Sequence, residues 1–223
     1  MGVTPTVDDV RAAAERVRNR IADAGGDPEA VTLLAVTKAF PAEVAAVALE
    51  AGLVDLGENY AQELAAKAPV LDSSARWHFI GRLQRRRIRE IAPHVTLWQS
   101  VDRVEVGEEL ARRAPGSALL VQVNVSAEPQ KGGCEPAGVA DLVARLTDLG
   151  LDVRGLMAVG RTGPPETARS GFALLRRLAD DLDLPVRSMG MSGDLEAAVA
   201  EGSTMLRVGT DLVGRRPDPR SGP

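Results

Sequence analysis

The chain carries a single cysteine, Cys134, in 223 residues, which excludes an intrachain disulfide and a cysteine-based zinc cluster. A reducing, cytoplasmic setting is the expectation that follows. Aromatic side chains are scarce at 3%, with one tyrosine, two tryptophans and three phenylalanines, so the core has to be built from Ala, Val, Leu and Ile. Neither sign of charge dominates. The 27 basic and 31 acidic residues leave a net charge of −4, which gives no general attraction to nucleic acid or to an anionic membrane. No apolar run approaches the roughly 18 residues of a transmembrane helix, and the amino terminus has none of the apolar character of a leader segment. The two histidines, His78 and His94, show no metal-ligand spacing. Met1-Gly2-Val3-Thr4-Pro5-Thr6 matches the myristoylation pattern in form, but the pattern is too short to carry that reading.

What is present is alternation. Short β-type runs and amphipathic helical stretches follow one another along the whole length. A helix is predicted over Val7–Ala24, closed by Gly25-Gly26. Strands are predicted at Val31–Lys38, Val54–Gly57, Trp77–Ile80, Thr96–Ser100, Ala118–Val125, Val153–Ala158, Val186–Met189 and Thr204–Val208. Helices fall between them, among them Pro41–Ala51, Asp102–Ala114, Pro136–Leu149 and Pro165–Leu182. Every connection is long enough for parallel pairing. Eight parallel strands with intervening helices predict a closed (β/α)₈ barrel of the TIM type. Little chain follows the eighth strand, so the opening helix should fill the gap in the outer ring. An open doubly wound sheet is the alternative, but the Gly-x-Gly-x-x-Gly fingerprint that usually accompanies it is missing. The barrel should occupy residues 1–214 as one domain, and the polar, Pro-rich residues 215–223 should form a disordered tail.

In such a barrel the active groups gather at the C-terminal ends of the strands. Those ends hold Lys38, Glu58-Asn59, His78, Asn124, Met157, Ser192 and Gly209-Thr210. Lys38 closes the run Leu33-Leu34-Ala35-Val36-Thr37-Lys38, and alternation sets it on the face of Leu34 and Val36. A lysine desolvated there has a lowered pKa and can condense with an aldehyde; a lysine that snorkels to water is the alternative. Arg207, with Met205 and Gly209, falls on the inner face of the last strand, where a guanidinium needs a partner. That partner could be a buried carboxylate or a ligand. Loops after strands seven and eight commonly hold a phosphate, and Ser192, Gly209 and Thr210 lie there. An aldehyde for Lys38, a phosphate for the loops and a ring acceptor for Arg207 together describe pyridoxal 5′-phosphate.

On these residues the chain resembles the pyridoxal phosphate homeostasis proteins, barrels similar to the N-terminal domain of alanine racemase. The stretches that carry the resemblance are Leu33–Lys38, Gly57-Glu58-Asn59-Tyr60, Trp77-His78-Phe79-Ile80-Gly81, Gln122–Ser126, Gly155-Leu156-Met157, Gly190-Met191-Ser192 with Asp194, and Gly202–Thr210. The resemblance implies that Lys38 forms the internal aldimine and Arg207 faces the pyridine nitrogen. It implies further that Ser192, Gly209 and Thr210 hold the phosphate, with Asn59 close by and His78 and Met157 lining the pocket. Two departures stand out. Arg85-Arg86-Arg87 follows Leu83-Gln84 where the family often has x-Asn-Lys, and Val213 replaces a common phenylalanine.

The function this implies is intracellular cofactor homeostasis: holding pyridoxal phosphate on Lys38 and passing it to apo-enzymes, with other B6 vitamers as further ligands. A pyridoxal-phosphate-dependent amino-acid racemase is the enzyme alternative, and a cofactor-stabilised interaction protein is another. An arginine at the ring nitrogen makes a weak electron sink; racemisation also needs a second base, a tyrosine in the alanine racemase that the chain resembles, and the one tyrosine here is Tyr60. A cytoplasmic monomer is expected, without nucleic acid, membrane or metal. The cluster Arg82, Arg85, Arg86, Arg87 and Arg89 reads as a solvated helix surface, as do the pairs Glu108-Glu109 and Asp180-Asp181. Cys134 reads as a plain loop residue, and His94 as a surface one.

Overall fold

A computed structural model describes residues 4–128 and 130–215. The tail expected over 215–223 lies, Arg215 apart, outside the described residues, as does the start of the myristoylation-like hexapeptide. Helix α1, Val7–Asp23, opens on a capping box: the Thr6 hydroxyl accepts from the Asp9 backbone, and the Asp9 carboxylate accepts from the Thr6 backbone. Val10, Ala13, Ala14, Val17 and Ile21 recur at helical spacing and form its buried stripe.

The strands are β1 (Thr32–Val36), β2 (Asp55–Glu58), β3 (Arg76–Phe79), β4 (Val95–Val101), β5 (Ala118–Gln122), β6 (Asp152–Met157), β7 (Val186–Ser188) and β8 (Met205–Val208). They pair in parallel in chain order and close, Thr32 of β1 lying against Met205 of β8 and Ala35 against Val208. Between them run α2 (Ala42–Glu50), α3 (Ala61–Lys67), α4 (Arg85–Ile91), α5 (Val104–Arg113), α6 (Val139–Asp148), α7 (Arg169–Asp181) and α8 (Leu195–Ala200). Among the described residues one helical turn, α9 (Thr210–Val213), follows β8, and α1 packs against α2, α8 and α9 to complete the ring. The barrel and the role of the opening helix are as the sequence predicts.

Two strands stop more than one residue short of their predicted ends. β1 ends at Val36 because the Phe40 amide donates to the Thr37 carbonyl and Ala39 takes a left-handed φ of 63°, which turns the chain out of the sheet. β5 ends at Gln122, where Val125 turns back on Val123. The predicted helices over Pro136–Leu149 and Pro165–Leu182 each open with a 3₁₀ turn, Pro136–Gly138 and Pro165–Ala168, since proline brings no N–H to a first turn that leaves such groups unbonded.

Most of the core lies between barrel and helices. Trp98, Phe172, Leu119, Leu146 and Leu64 are fully buried there, and truncating such a side chain to alanine costs about 2–5 kcal/mol. Inside the barrel a smaller cluster of Leu97, Ala118, Leu120, Met157 and Met205 forms the apolar plug. Polar residues share that interior: Asp55, His78, Gln99, Ser188 and Arg207 are all buried. Among the described residues no helix is long and apolar enough to cross a membrane, and no group of His, Cys, Asp and Glu could hold a metal ion.

Candidate functional site

The turn after β1 is pinned from behind. Thr37 is buried, and its hydroxyl donates to Glu58 Oε1 at 2.8 Å. Lys67 on α3 donates its ammonium to the Thr37 carbonyl at 2.9 Å and to Glu58 Oε1 at 2.7 Å. The Ala39 amide donates to Glu63 Oε2 at 2.7 Å, which holds the left-handed residue that follows Lys38. A non-glycine residue in that region costs about 1–2 kcal/mol, so it persists only where its surroundings fix it. Burial pushes the Glu58 carboxyl up from its ordinary value, against the opposing pull of Lys67. Lys38 is thus carried on a turn whose backbone has little freedom.

A cavity of about 310 Å³ opens at the C-terminal mouth of the barrel. Lys38, Asn59, Met157, Ser192, Arg207, Gly209 and Thr210 line it, with Val36, Phe40 and Ile80 among its apolar walls. Seven of the eight site residues expected from the sequence therefore share one cavity, from β1, β2, β6, β7 and β8 and the loops that follow them. His78 is the exception. It sits on β3 in the layer beneath, its ring nitrogens 3.0 Å from Asp55 Oδ1 and 2.8 Å from Gln99 Nε2.

Arg207 forms the floor. Its Nη1 donates to the Ser188 carbonyl at 2.7 Å and to Ser188 Oγ at 2.8 Å, and its Nη2 donates to the Ala158 carbonyl at 2.7 Å. Among the described residues no carboxylate stands within ion-pair distance of it, so the buried-carboxylate alternative is set aside. Burial pulls its pKa down to about 10, with Asp194 opposing, so the guanidinium stays charged near neutral pH. A buried cation held by neutral acceptors favours a ligand with acceptor atoms or negative charge.

Two loops face each other across the cavity, and one side chain ties them. Arg20 of α1 donates to Asp211 Oδ2 at 2.6 Å, to both carboxylate oxygens of Glu196 at 2.7 and 3.1 Å, and to the Ser192 carbonyl at 3.0 Å. The loop after β7 is further closed by the Met191 amide, which donates to Asp194 Oδ1 at 2.6 Å. A Cβ built on Gly193 would meet nothing within 4 Å, so the space before that backbone is open to a ligand. At Gly81 the reverse holds. A Cβ would fall 1.9 Å from the Asn59 carbonyl oxygen, so only glycine lets the loop after β3 close over Asn59.

The alanine racemase N-terminal domain model matches residues 7–217. The chain belongs to this family. Within it the chain groups with the pyridoxal phosphate homeostasis proteins: the protein of that name from Pseudomonas aeruginosa is 42% identical over 218 residues, covering 94% of this chain and 95% of the relative. The solved structure of PipY from Synechococcus elongatus with PLP bound is 34% identical, with a TM-score of 0.77, covering 89% of this chain and 100% of that one. A solved structure of an unknown protein from Bifidobacterium adolescentis has a TM-score of 0.86 at 33% identity, covering 92% of this chain and 95% of that one.

The departure from the family's pattern at Arg85-Arg86-Arg87 falls on α4, outside the cavity. Arg82, Arg85, Arg86 and Arg89 are exposed, and Arg87 pairs with Glu90 at 2.9 Å. Val213 is buried in the outer core on α9, away from the cavity lining. Sequence reasoning missed Arg20, Lys67, Asp55, Gln99 and Ser188. Gln99 stands among apolar residues on β4, which is a readable signal, whereas Ser188 ends the short strand Val186-Arg187-Ser188 and gives little. Arg20 gave none, because in sequence it lies mid-helix, far from the strands whose following loops it reaches.

Proposed function

We propose that this cavity binds pyridoxal 5′-phosphate and that the protein serves cofactor homeostasis, holding the cofactor and passing it to apo-enzymes. The residues fit the group by their chemistry. Lys38 supplies an amine at one wall, Arg207 a buried guanidinium at the floor, and the Ser192 and Gly209-Thr210 loops face each other where a phosphate would be gripped. A volume of about 310 Å³ lies within the usual range for a small-ligand pocket. When bound, the cofactor supplies an aldehyde that the Lys38 amine can capture covalently. Ser192 and Thr210 would donate hydroxyl protons to the phosphate, Arg207 an N–H to the ring nitrogen, and Asn59 and Met157 would pack beside the ring. His78 would act from the layer below rather than by contact.

The observation that carries the proposal is Arg207, a buried cation at the floor of the Lys38 cavity whose partners among the described residues are neutral. Holding rather than turnover is favoured by Tyr60. It is the only tyrosine, it is 54% exposed, and it lines the neighbouring groove between α3 and α4 instead of the cavity. A racemase would need a second base facing Lys38 across the substrate. A cytoplasmic monomer belongs to the same reading, since the apo-enzymes it would supply share that compartment.

The test is borohydride reduction of protein incubated with pyridoxal phosphate, then peptide mass spectrometry. A pyridoxyl adduct on Lys38, lost in Lys38→Ala, is expected; an adduct elsewhere with Lys38 unmodified overturns the assignment. Incubation with alanine in deuterated buffer should give no enzyme-dependent α-proton exchange, and transfer to an apo-enzyme should restore its activity.

A further inference from the structure

The polar residues inside the barrel form one chain of hydrogen bonds, and the direction of every bond in it is fixed from both ends. At the head, the Arg207 guanidinium can only donate. Its Nη1 lies 2.8 Å from Ser188 Oγ, so that oxygen accepts. The Ser188 hydroxyl proton goes on to Gln99 Oε1 at 2.7 Å, an atom that can only accept. The other end of the same amide, Nε2, can only donate, and it faces His78 Nδ1 at 2.8 Å. Nδ1 is therefore unprotonated. The ring proton of a neutral His78 then sits on Nε2 and is donated to Asp55 Oδ1 at 3.0 Å. At the foot, Arg76 donates to the same carboxylate through Nε at 2.9 Å and Nη2 at 2.5 Å. The chain crosses from β8 through β7, β4 and β3 to β2, linking the cavity floor to the opposite rim, where the Arg76 side chain is 56% exposed.

We propose that Asp55, His78, Gln99 and Ser188 are positioning residues for Arg207, and that protonation of His78 reverses the chain and loosens the guanidinium. This rests on the reading that Arg207 faces the cofactor. A proton on Nδ1 would set two donors against each other, His78 Nδ1–H and Gln99 Nε2–H. Turning the Gln99 amide end for end resolves that clash, because Oε1 then accepts from the ring. Nε2 now points at Ser188 Oγ, which would receive protons from both Gln99 and Arg207 while its own proton loses its acceptor. Inside a barrel an unmatched donor is expensive, so the Ser188 hydroxyl and the Arg207 guanidinium must rearrange together. The charged groups facing the ring are Asp55 from β2, Arg76 beyond it on β3 and Arg207 from β8; its neutral partner is Gln99 from β4, whose amide also contacts Met205 of β8. Binding linkage is reciprocal, so a ligand that needs Arg207 in place must also hold His78 neutral.

The test begins without ligand. Long-range proton–nitrogen spectra of the apo-protein near neutral pH should show His78 as the neutral tautomer protonated at Nε2, and a Nδ1-protonated ring there overturns the proposal. Gln99→Glu places two acceptors where the amide stood, so His78 should become doubly protonated and its titration midpoint should rise by about one pH unit or more. In the same variant the carboxylate accepts from both His78 and Ser188, so the Arg207 side-chain nitrogen resonances and the visible absorbance of bound pyridoxal phosphate should no longer follow His78 titration, as both should in the wild type. Ser188→Ala, a smaller change should Gln99→Glu fail to fold, cuts the chain. The Arg207 resonances should then cease to follow His78 titration, whereas continued following overturns the proposal. Wild-type protein that takes up no cofactor on Lys38 defeats the reading of the cavity but not these ligand-free results. A cofactor bound on Lys38 whose spectrum ignores Gln99→Glu defeats the relay alone.

Discussion

Arg20 Nη1 stands 2.6 Å from Asp211 Oδ2, joining the opening helix to the turn that follows the last strand. The same guanidinium holds Glu196 and the Ser192 carbonyl, so both loops proposed to grip phosphate hang from one side chain. Arg20→Ala should leave Lys38 as the borohydride-trapped site but weaken pyridoxal phosphate binding. The Arg20 side chain is 32% exposed, so solvent screens the pairs and the effect should be modest, about 1 kcal/mol or roughly fivefold in Kd. Arg20→Lys should recover only part of it, since an ammonium cannot span three acceptors as a planar fork does. Absorbance titration checks both variants, and an unchanged Kd in Arg20→Ala would remove the clamp from the account.

Behind Lys38, the Glu58–Lys67 pair is buried on both sides, with side-chain exposures of 0% and 6%. Lys67→Met strips the cation from a carboxylate that already has one oxygen, Oε2, without a hydrogen-bond partner among the described residues. The expected loss is about 3–5 kcal/mol in urea unfolding, the usual result of leaving a buried charge unpaired. Glu58→Gln added to Lys67→Met should restore a large part of it. If the double variant is no more stable than the single one, the pair is not the origin of the loss. Cofactor retention should fall with the single variant too, because the Thr37 carbonyl loses the donor that fixes the Lys38 turn.

The periodicity of the sequence placed all eight strands, within one residue at every end except the C-terminal ends of β1 and β5. Both exceptions are turns made by tertiary partners: Glu63 takes the Ala39 amide, and Cys134 pairs with Val123. No propensity encodes either contact. The cavity was legible because barrel topology brings strand ends together whatever their spacing, so Lys38 and Arg207 meet across β1 and β8. The resemblance implies a lining role for His78, and the strand pattern puts it near a strand end, but neither gives its height within the barrel. The residue sits one layer down, where Asp55 and Gln99 bracket it. Arg20 was invisible for a different reason. A helix-surface arginine is ordinarily solvated, and only closure of the ring brings Asp211 and Glu196 to it.

Cys134 bears on handling and redox chemistry. Its backbone bridges to Val123, and burial pushes the thiol up to about 11, with Asp102 and Glu135 adding to the rise. The reactive form is the thiolate. A raised value leaves the group protonated up to pH values well above neutral. Native protein near pH 8 should therefore react with iodoacetamide or an aromatic disulfide at least about tenfold more slowly than the urea-unfolded chain, whose thiol has its ordinary value. Equal rates would show that the loop opens faster than it reacts.

Asp55 sets the acid limit of the barrel floor. Burial alone would raise its carboxyl, but hydrogen bonds from His78 and Arg76 outweigh that and hold it below the ordinary value of 3.8. A depressed acid binds fewer protons folded than unfolded, so it adds stability above about pH 4 and loses it as pH falls through its folded value. Glu128, paired with Lys131 and held down at about 2, behaves the same way, as do Asp9, Asp72, Glu109 and Glu196, so acid unfolding of the wild type sums all of these. Asp55→Asn removes one of them. It should be less stable than wild type by about 1–3 kcal/mol near neutral pH, where Arg76 and His78 lose a charged acceptor. Between about pH 4 and pH 3 the gap should narrow, because the wild type there surrenders what the variant never had. Urea midpoints of the two proteins across that range decide it. A constant gap would mean that the Asp55 carboxyl titrates at its ordinary value in the folded chain, and that its bonds to His78 and Arg76 do not favour the ionised form.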